Sequence, residues 1–150
     1  MDHIFGNKFV AERYRLRVHL HKKEKPVLDY GPEAGVLWGL PFEPYTGALV
    51  YLEEEEEAGI KECKFKVIFT PGHSPGSISF YNSEEKIIFS GDVLFKQGIG
   101  RTDLPGGDAA TLVRSISKKL FILPDDVTVY AGHGPSTTIG YEKRNNPFVQ

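Results

Sequence analysis

Five residues of this sequence could carry chemistry: Asp2, His3, His73, Asp92 and His133. Three of them close the same local pattern, in which an apolar, strand-like run meets a short turn containing glycine and then a histidine or aspartate. The copies are Phe65-Lys66-Val67-Ile68-Phe69-Thr70-Pro71-Gly72-His73, Ile87-Ile88-Phe89-Ser90-Gly91-Asp92 and Val127-Thr128-Val129-Tyr130-Ala131-Gly132-His133. Glycine before the polar residue lets the backbone turn sharply, so each strand would hold a short loop that aims one donor toward a common point. Asp2-His3, followed by Gly6-Asn7, is a fourth candidate. Imidazole nitrogen combined with carboxylate oxygen is the donor set that suits zinc, iron or manganese.

Other residues that could suggest chemistry read differently. His19 and His21 would share one strand face, a geometry able to chelate, but Lys22, Lys23 and Lys25 oppose cation binding, and the pair is taken as an exposed strand face. The glycines of Gly98-Ile99-Gly100-Arg101 and Gly106-Gly107-Asp108 spell neither a Walker nor a dinucleotide fingerprint and are expected to form a tight loop. Gly76-Ser77-Ile78 lacks the second glycine of a hydrolase nucleophile elbow. The run Glu53 to Glu57 is read as a solvated face or turn.

Elements must position the donors. Asn7 to Arg15 predicts a short helix capped by Asn7, and Leu16 to Leu20 a strand. Prolines and glycines between Pro26 and Pro44 allow one or two short helical pieces at most. Lys64 to Thr70, Ser77 to Tyr81, Lys86 to Ser90 and Val127 to Ala131 predict strands. Leu112, Ile116 and Leu120, four apart with Val113 beside them, predict an amphipathic helix over Asp108 to Leu120 with Asp108 as N-cap. Strands followed by helices imply an α/β (α+β) sheet packed against helices.

The chain has 150 residues, 40% hydrophobic and 25% charged, which predicts one packed domain over 1–150. A net charge of −2 offers no global field for nucleic acid or an anionic membrane. The single cysteine, Cys63, excludes an internal disulfide and a cysteine-only metal site. No apolar run approaches the roughly 20 residues of a membrane helix, and a single cysteine fits the reducing cytosol, so a cytoplasmic protein is expected; oligomeric state is left open.

In Asp2-His3 with Gly6-Asn7, Thr70 to Ser77, Ser90 to Phe95, Gly98 to Gly107 and Gly132-His133-Gly134-Pro135 with Thr137-Thr138, the sequence resembles the metallo-β-lactamase superfamily. Within it, the small glyoxalase II-like (hydroxyacylglutathione hydrolase-like) metallohydrolases are most similar. The resemblance implies an αββα sandwich, with His73 a ligand of a first metal, Asp92 the catalytic carboxylate bridging two metals, and Asp2, His3 and His133 ligands of the second. The family's His-x-His-x-Asp-His motif survives only as Asp2-His3. A chain lacking the N-terminal strands of the first sheet, from a fragment or an internal start, is therefore expected.

What the resemblance implies for activity is metal-assisted hydrolysis of a thioester such as an acylglutathione. Intact relatives would hold two zinc ions, and this chain one or fewer, with impaired turnover. Two alternatives remain: a persulfide dioxygenase-like enzyme with one iron, and an inactive fragment binding at most one metal.

Overall fold

The computed structural model describes residues 3–40 and 42–149, the side chain of Ile60 apart. Asp2 lies outside the described residues. The chain divides into two compact units, Met1–Leu52 and Glu53–Gln150.

The first unit contains α1 (Asn7–Tyr14), β1 (Val18–Leu20), a 3-10 turn (Lys22–Glu24), α2 (Lys25–Asp29), α3 (Gly31–Leu37) and β2 (Leu49–Tyr51). Pro26 and Pro32 sit in the opening turns of α2 and α3, where a missing N–H costs nothing. β1 and β2 pair in parallel, Val18 opposite Leu49. Two expectations are corrected. The N-cap of α1 is Gly6 rather than Asn7, which is already helical, and no side chain caps that end. His21 does not share an exposed face with His19: it lies beyond β1, is buried, and its Nδ1 accepts the Lys23 N–H at 3.3 Å to cap the 3-10 turn.

The second unit contains β3 (Glu57–Ile60), β4 (Cys63–Phe69), β5 (Ile78–Asn82), β6 (Ile87–Gly91), β7 (Leu94–Phe95), β8 (Gly98–Ile99), α4 (Ala109–Ser115), β9 (Thr128–Ala131), β10 (Thr137–Thr138) and α5 (Ile139–Asn145). Six strands form one sheet in the order β10-β9-β6-β5-β4-β3. All neighbours are antiparallel except β6 and β9, which are parallel because the connection between them crosses over through α4. Two reversals through β5 give β4 the same direction as β6, and β9 follows β6. The C-terminal ends of these three strands therefore open on one edge of the sheet, and each is followed by one of the three glycine-turn donors.

Strand alternation puts Ile88 and Val129 opposite each other on one face, where they join Ile68, Leu94, Leu112, Ile116, Leu120 and Ile139 in the core. On the other face Phe89 and Tyr130, also in register, stack at 5.5 Å. The helix expected over 108–120 changes type on the way. After α4 the chain makes a π-turn over Ile116–Leu120, closed by Phe121 N–H to Ile116 O at 2.8 Å. A strict spacing of four drifts by about 40° per step round an α-helix, and the wider turn takes up that drift, keeping Leu112, Ile116 and Leu120 all fully buried. The acidic run pairs with lysines, Glu54 with Lys119, Glu55 with Lys66 and Glu57 with Lys64, as a solvated turn should. No described helix is long and apolar enough to cross a membrane.

Asp108 is the N-cap of α4, its Oδ1 accepting the Thr111 N–H at 2.7 Å. Hydrogen bonds from Thr111 hold its carboxyl below the ordinary carboxylate range. The cap is fully present above the unfolded carboxylate pKa and is lost as pH falls through the lower folded value. Asp108→Ala is expected to lower the Tm of the metal-free chain by roughly 3 °C at pH 7. Thermal melts of both chains at pH 7 and pH 2.5 check this, the gap narrowing in acid.

Candidate metal centre

His73 is gripped from three sides. Its loop leaves β4 at Thr70, which is buried and shares a hydrogen bond with Ser79 at 2.9 Å. Ser115 Oγ donates to Pro71 O at 2.7 Å and Asp108 N–H to Gly72 O at 2.8 Å, so α4 holds the turn from both its ends. Gly72 itself has φ 135°, and a Cβ there would stand 2.3 Å from Leu112 N. Only glycine lets the loop lie that close to the helix.

The ring of His73 is oriented by a backbone carbonyl: Nδ1 lies 2.9 Å from Arg101 O. A carbonyl can only accept, so Nδ1 carries a proton and Nε2 is the nitrogen left to face the centre. That Nε2 lies 3.7 Å from Asp92 Oδ2. Asp92 follows Gly91, whose φ of 55° is the left-handed turn that ends β6. Gly132 N–H donates to Gly91 O at 2.9 Å, tying together the loops that carry Asp92 and His133. His133 Nε2 then also lies 3.7 Å from Asp92 Oδ2. One carboxylate oxygen thus stands equally far from two imidazole nitrogens.

Gly100 permits this closeness from the third side, since a Cβ there would sit 1.9 Å from Asp92 O and 3.3 Å from His73 Cβ. The Asp92 side chain is only 15% exposed, against 57% for His133, so the centre is open on the His133 side. Phe95 on β7 meets the His133 ring edge-on at 6.4 Å.

This donor set fits a cation. At 3.7 Å no hydrogen bond links Nε2 of His73 to the carboxylate. Two ligands on one tetrahedral zinc lie about 3.3–3.6 Å apart, close to the spacing found. The three glycine-turn donors that the sequence singles out are thus brought together by the second unit. His3 lies on the exposed turn that leads into α1 in the first unit, and Asp2 is not among the described residues.

Basic residues that could meet an anionic substrate have other partners. Arg101 forks onto Asp103 with two bonds of 2.7 Å, which hold the Asp103 carboxyl down to about 2. Lys143 and Arg144 both bond Asp125, at 2.7 and 3.3 Å. Sequence reading missed Arg101 O and Gly100 as parts of the centre. A backbone carbonyl has no sequence signature, whereas the glycines of 98–107 were a visible sign of close packing.

A sequence profile of the metallo-beta-lactamase superfamily matches residues 1–133. The chain is 39% identical to hydroxyacylglutathione hydrolase GloC of Haemophilus influenzae, over 99% of its own length and 71% of that protein's. It is 41% identical to the probable metallo-hydrolase YqgX of Bacillus subtilis, again over 99% of this chain and 71% of the relative. Among solved structures it is similar to TTHA1623 in a di-iron-bound form, with a TM-score of 0.89 and 39% identity, covering 98% of this chain and 72% of that one.

Proposed function

The chain belongs to the metallo-beta-lactamase superfamily, and from that premise we propose that it is a metal-dependent hydrolase of the glyoxalase II-like type, acting on a small thioester such as an acylglutathione. The observation that carries this reading is Asp92 Oδ2, 3.7 Å from the imidazole nitrogens of both His73 and His133. Similarity to a protein named hydroxyacylglutathione hydrolase supports the thioester class.

A bound cation supplies Lewis acidity, polarising the thioester carbonyl and bringing the pKa of water down toward about 7. The chain's own residues do the rest. Asp92 offers one oxygen to both sides of the centre and so sets its spacing. Arg101 O keeps the proton of His73 on Nδ1, leaving Nε2 as donor. The resemblance implies Asp2, His3, Asp92 and His133 as one ligand set, against two donors, His73 and Asp92, for a second. That inequality favours one tightly held ion per chain and slow turnover. A thiolate leaves without a strong acid, so the reaction needs no general acid of raised pKa. A net charge of −2 offers no global field for nucleic acid and fits a small-molecule substrate.

Zinc is the proposed ion. Iron is the alternative, supported by the similarity to a di-iron-bound structure and by a nitrogen and oxygen donor set that accepts either metal; with iron, persulfide dioxygenase-like chemistry is the second reading. The test combines elemental analysis of the purified chain with thioester hydrolysis and oxygen uptake. The expected result is at most one zinc per chain and weak thioesterase activity that a chelator removes and zinc restores. Two zinc ions with rapid turnover would refute the single-ion reading, a folded chain that takes up no metal would refute the whole, and oxygen uptake with bound iron would establish the alternative.

A further inference from the structure

Glu142 on α5 is a fully buried carboxylate in the same unit as the candidate centre, and the reading above gives it no part. Burying a carboxylate is costly unless its oxygens are satisfied. Its Oε1 accepts Thr137 Oγ1 at 2.6 Å, and its Oε2 accepts both the Gln97 N–H and Asn146 Nδ2 at 2.9 Å. Asn146 Nδ2 also donates to Gly98 O at 3.0 Å. Gln97 has φ 55° and makes the turn of the β7–β8 hairpin.

That hairpin reaches the three glycine-turn donors, Asp92, His73 and His133. It leaves Asp92 through Val93, and it returns through Gly100, whose N–H bonds Val93 O, to Arg101, whose carbonyl orients His73. Its Phe95 abuts the His133 ring, and Thr137, at the other end of the Glu142 carboxylate, follows His133 by four residues. We propose that Glu142 is a positioning residue, a buried carboxylate that locks the β7–β8 hairpin to the loop after His133 and thereby holds Asp92, His73 and His133 in register for a cation. This rests on the reading of those three residues as metal ligands.

The experiment uses the full chain with Glu142→Ala, Glu142→Gln and Thr137→Val, and reads two quantities. One is amide hydrogen exchange of the metal-free chain at 94–100 against that at β4 to β6; the other is Co²⁺ affinity from absorption titration. Glu142→Ala is expected to speed exchange at 94–100 at least tenfold, to leave β4 to β6 protected, and to weaken Co²⁺ binding by about tenfold or more, the range seen for residues that orient metal ligands. Glu142→Gln, which can keep its bonds to Thr137 and to the hairpin, should recover most of both. Should Glu142→Ala fail to fold, Thr137→Val is expected to show the same pattern at smaller amplitude. Unchanged Co²⁺ affinity in the variants, or exchange accelerated evenly across the sheet, would overturn the role of Glu142 alone. A wild-type chain that binds no Co²⁺ would overturn the metal reading along with it.

Discussion

Asp92→Ala is expected to reduce affinity for zinc or cobalt by at least about 100-fold and to abolish thioester turnover, while the metal-free chain unfolds at about the same temperature as wild type. The asymmetry follows from geometry. Asp92 Oδ2 is the atom shared by His73 Nε2 and His133 Nε2, each 3.7 Å away, so its loss removes the oxygen that both imidazoles face. Outer residues that only orient metal ligands already cost 10–100-fold when removed, and a shared ligand should cost more. Asp92 is not part of the hydrophobic core, so alanine there leaves the packing of the metal-free chain in place. Titration with cobalt and thermal melts of the two metal-free chains measure the two halves separately. A clear drop in metal-free Tm together with retained metal binding would contradict the assignment.

Gly72→Ala should produce the opposite pattern, a loss of stability of about 3 kcal/mol or more in the metal-free chain. Its φ of 135° is strained for any L side chain, and the added Cβ would meet Leu112 N, Cα and Cβ at 2.3, 2.4 and 2.5 Å. Those atoms belong to a helix whose Leu112 is fully buried, so neither the loop nor the helix can retreat without opening the core. Urea unfolding followed by circular dichroism gives the magnitude. Gly6→Ala, where a Cβ meets nothing within 4 Å, is the matched control and should change little.

Much of the second unit was legible in sequence because its signals are local. Alternation of apolar residues marked β4, β5, β6 and β9, a spacing of four marked the buried stripe of α4 and its π-turn, and Asp108 marked the cap. The repeated Gly-His and Gly-Asp turns identified three donors, since a strand end that must turn sharply and present a polar group leaves a glycine as its trace. The first unit was less legible. The burial of His21 and the cap at Gly6 depend on what packs against them, and the lysines after His21 suggested exposure.

The sequence by itself therefore determined which residues of the second unit could bind a cation and which strands deliver them. Tertiary structure decided that they converge: strand order aligned the ends of β4, β6 and β9, and the Gly132 to Gly91 hydrogen bond joined two of the loops. It also decided the tautomer of His73, through a carbonyl that every residue possesses, and the burial of Glu142, a side chain spelled like any surface glutamate. The physical reason is that propensity and periodicity act between neighbours in the chain. Strand order, by contrast, is set by burial over the whole sheet, and the environment of a polar group by residues tens of positions away.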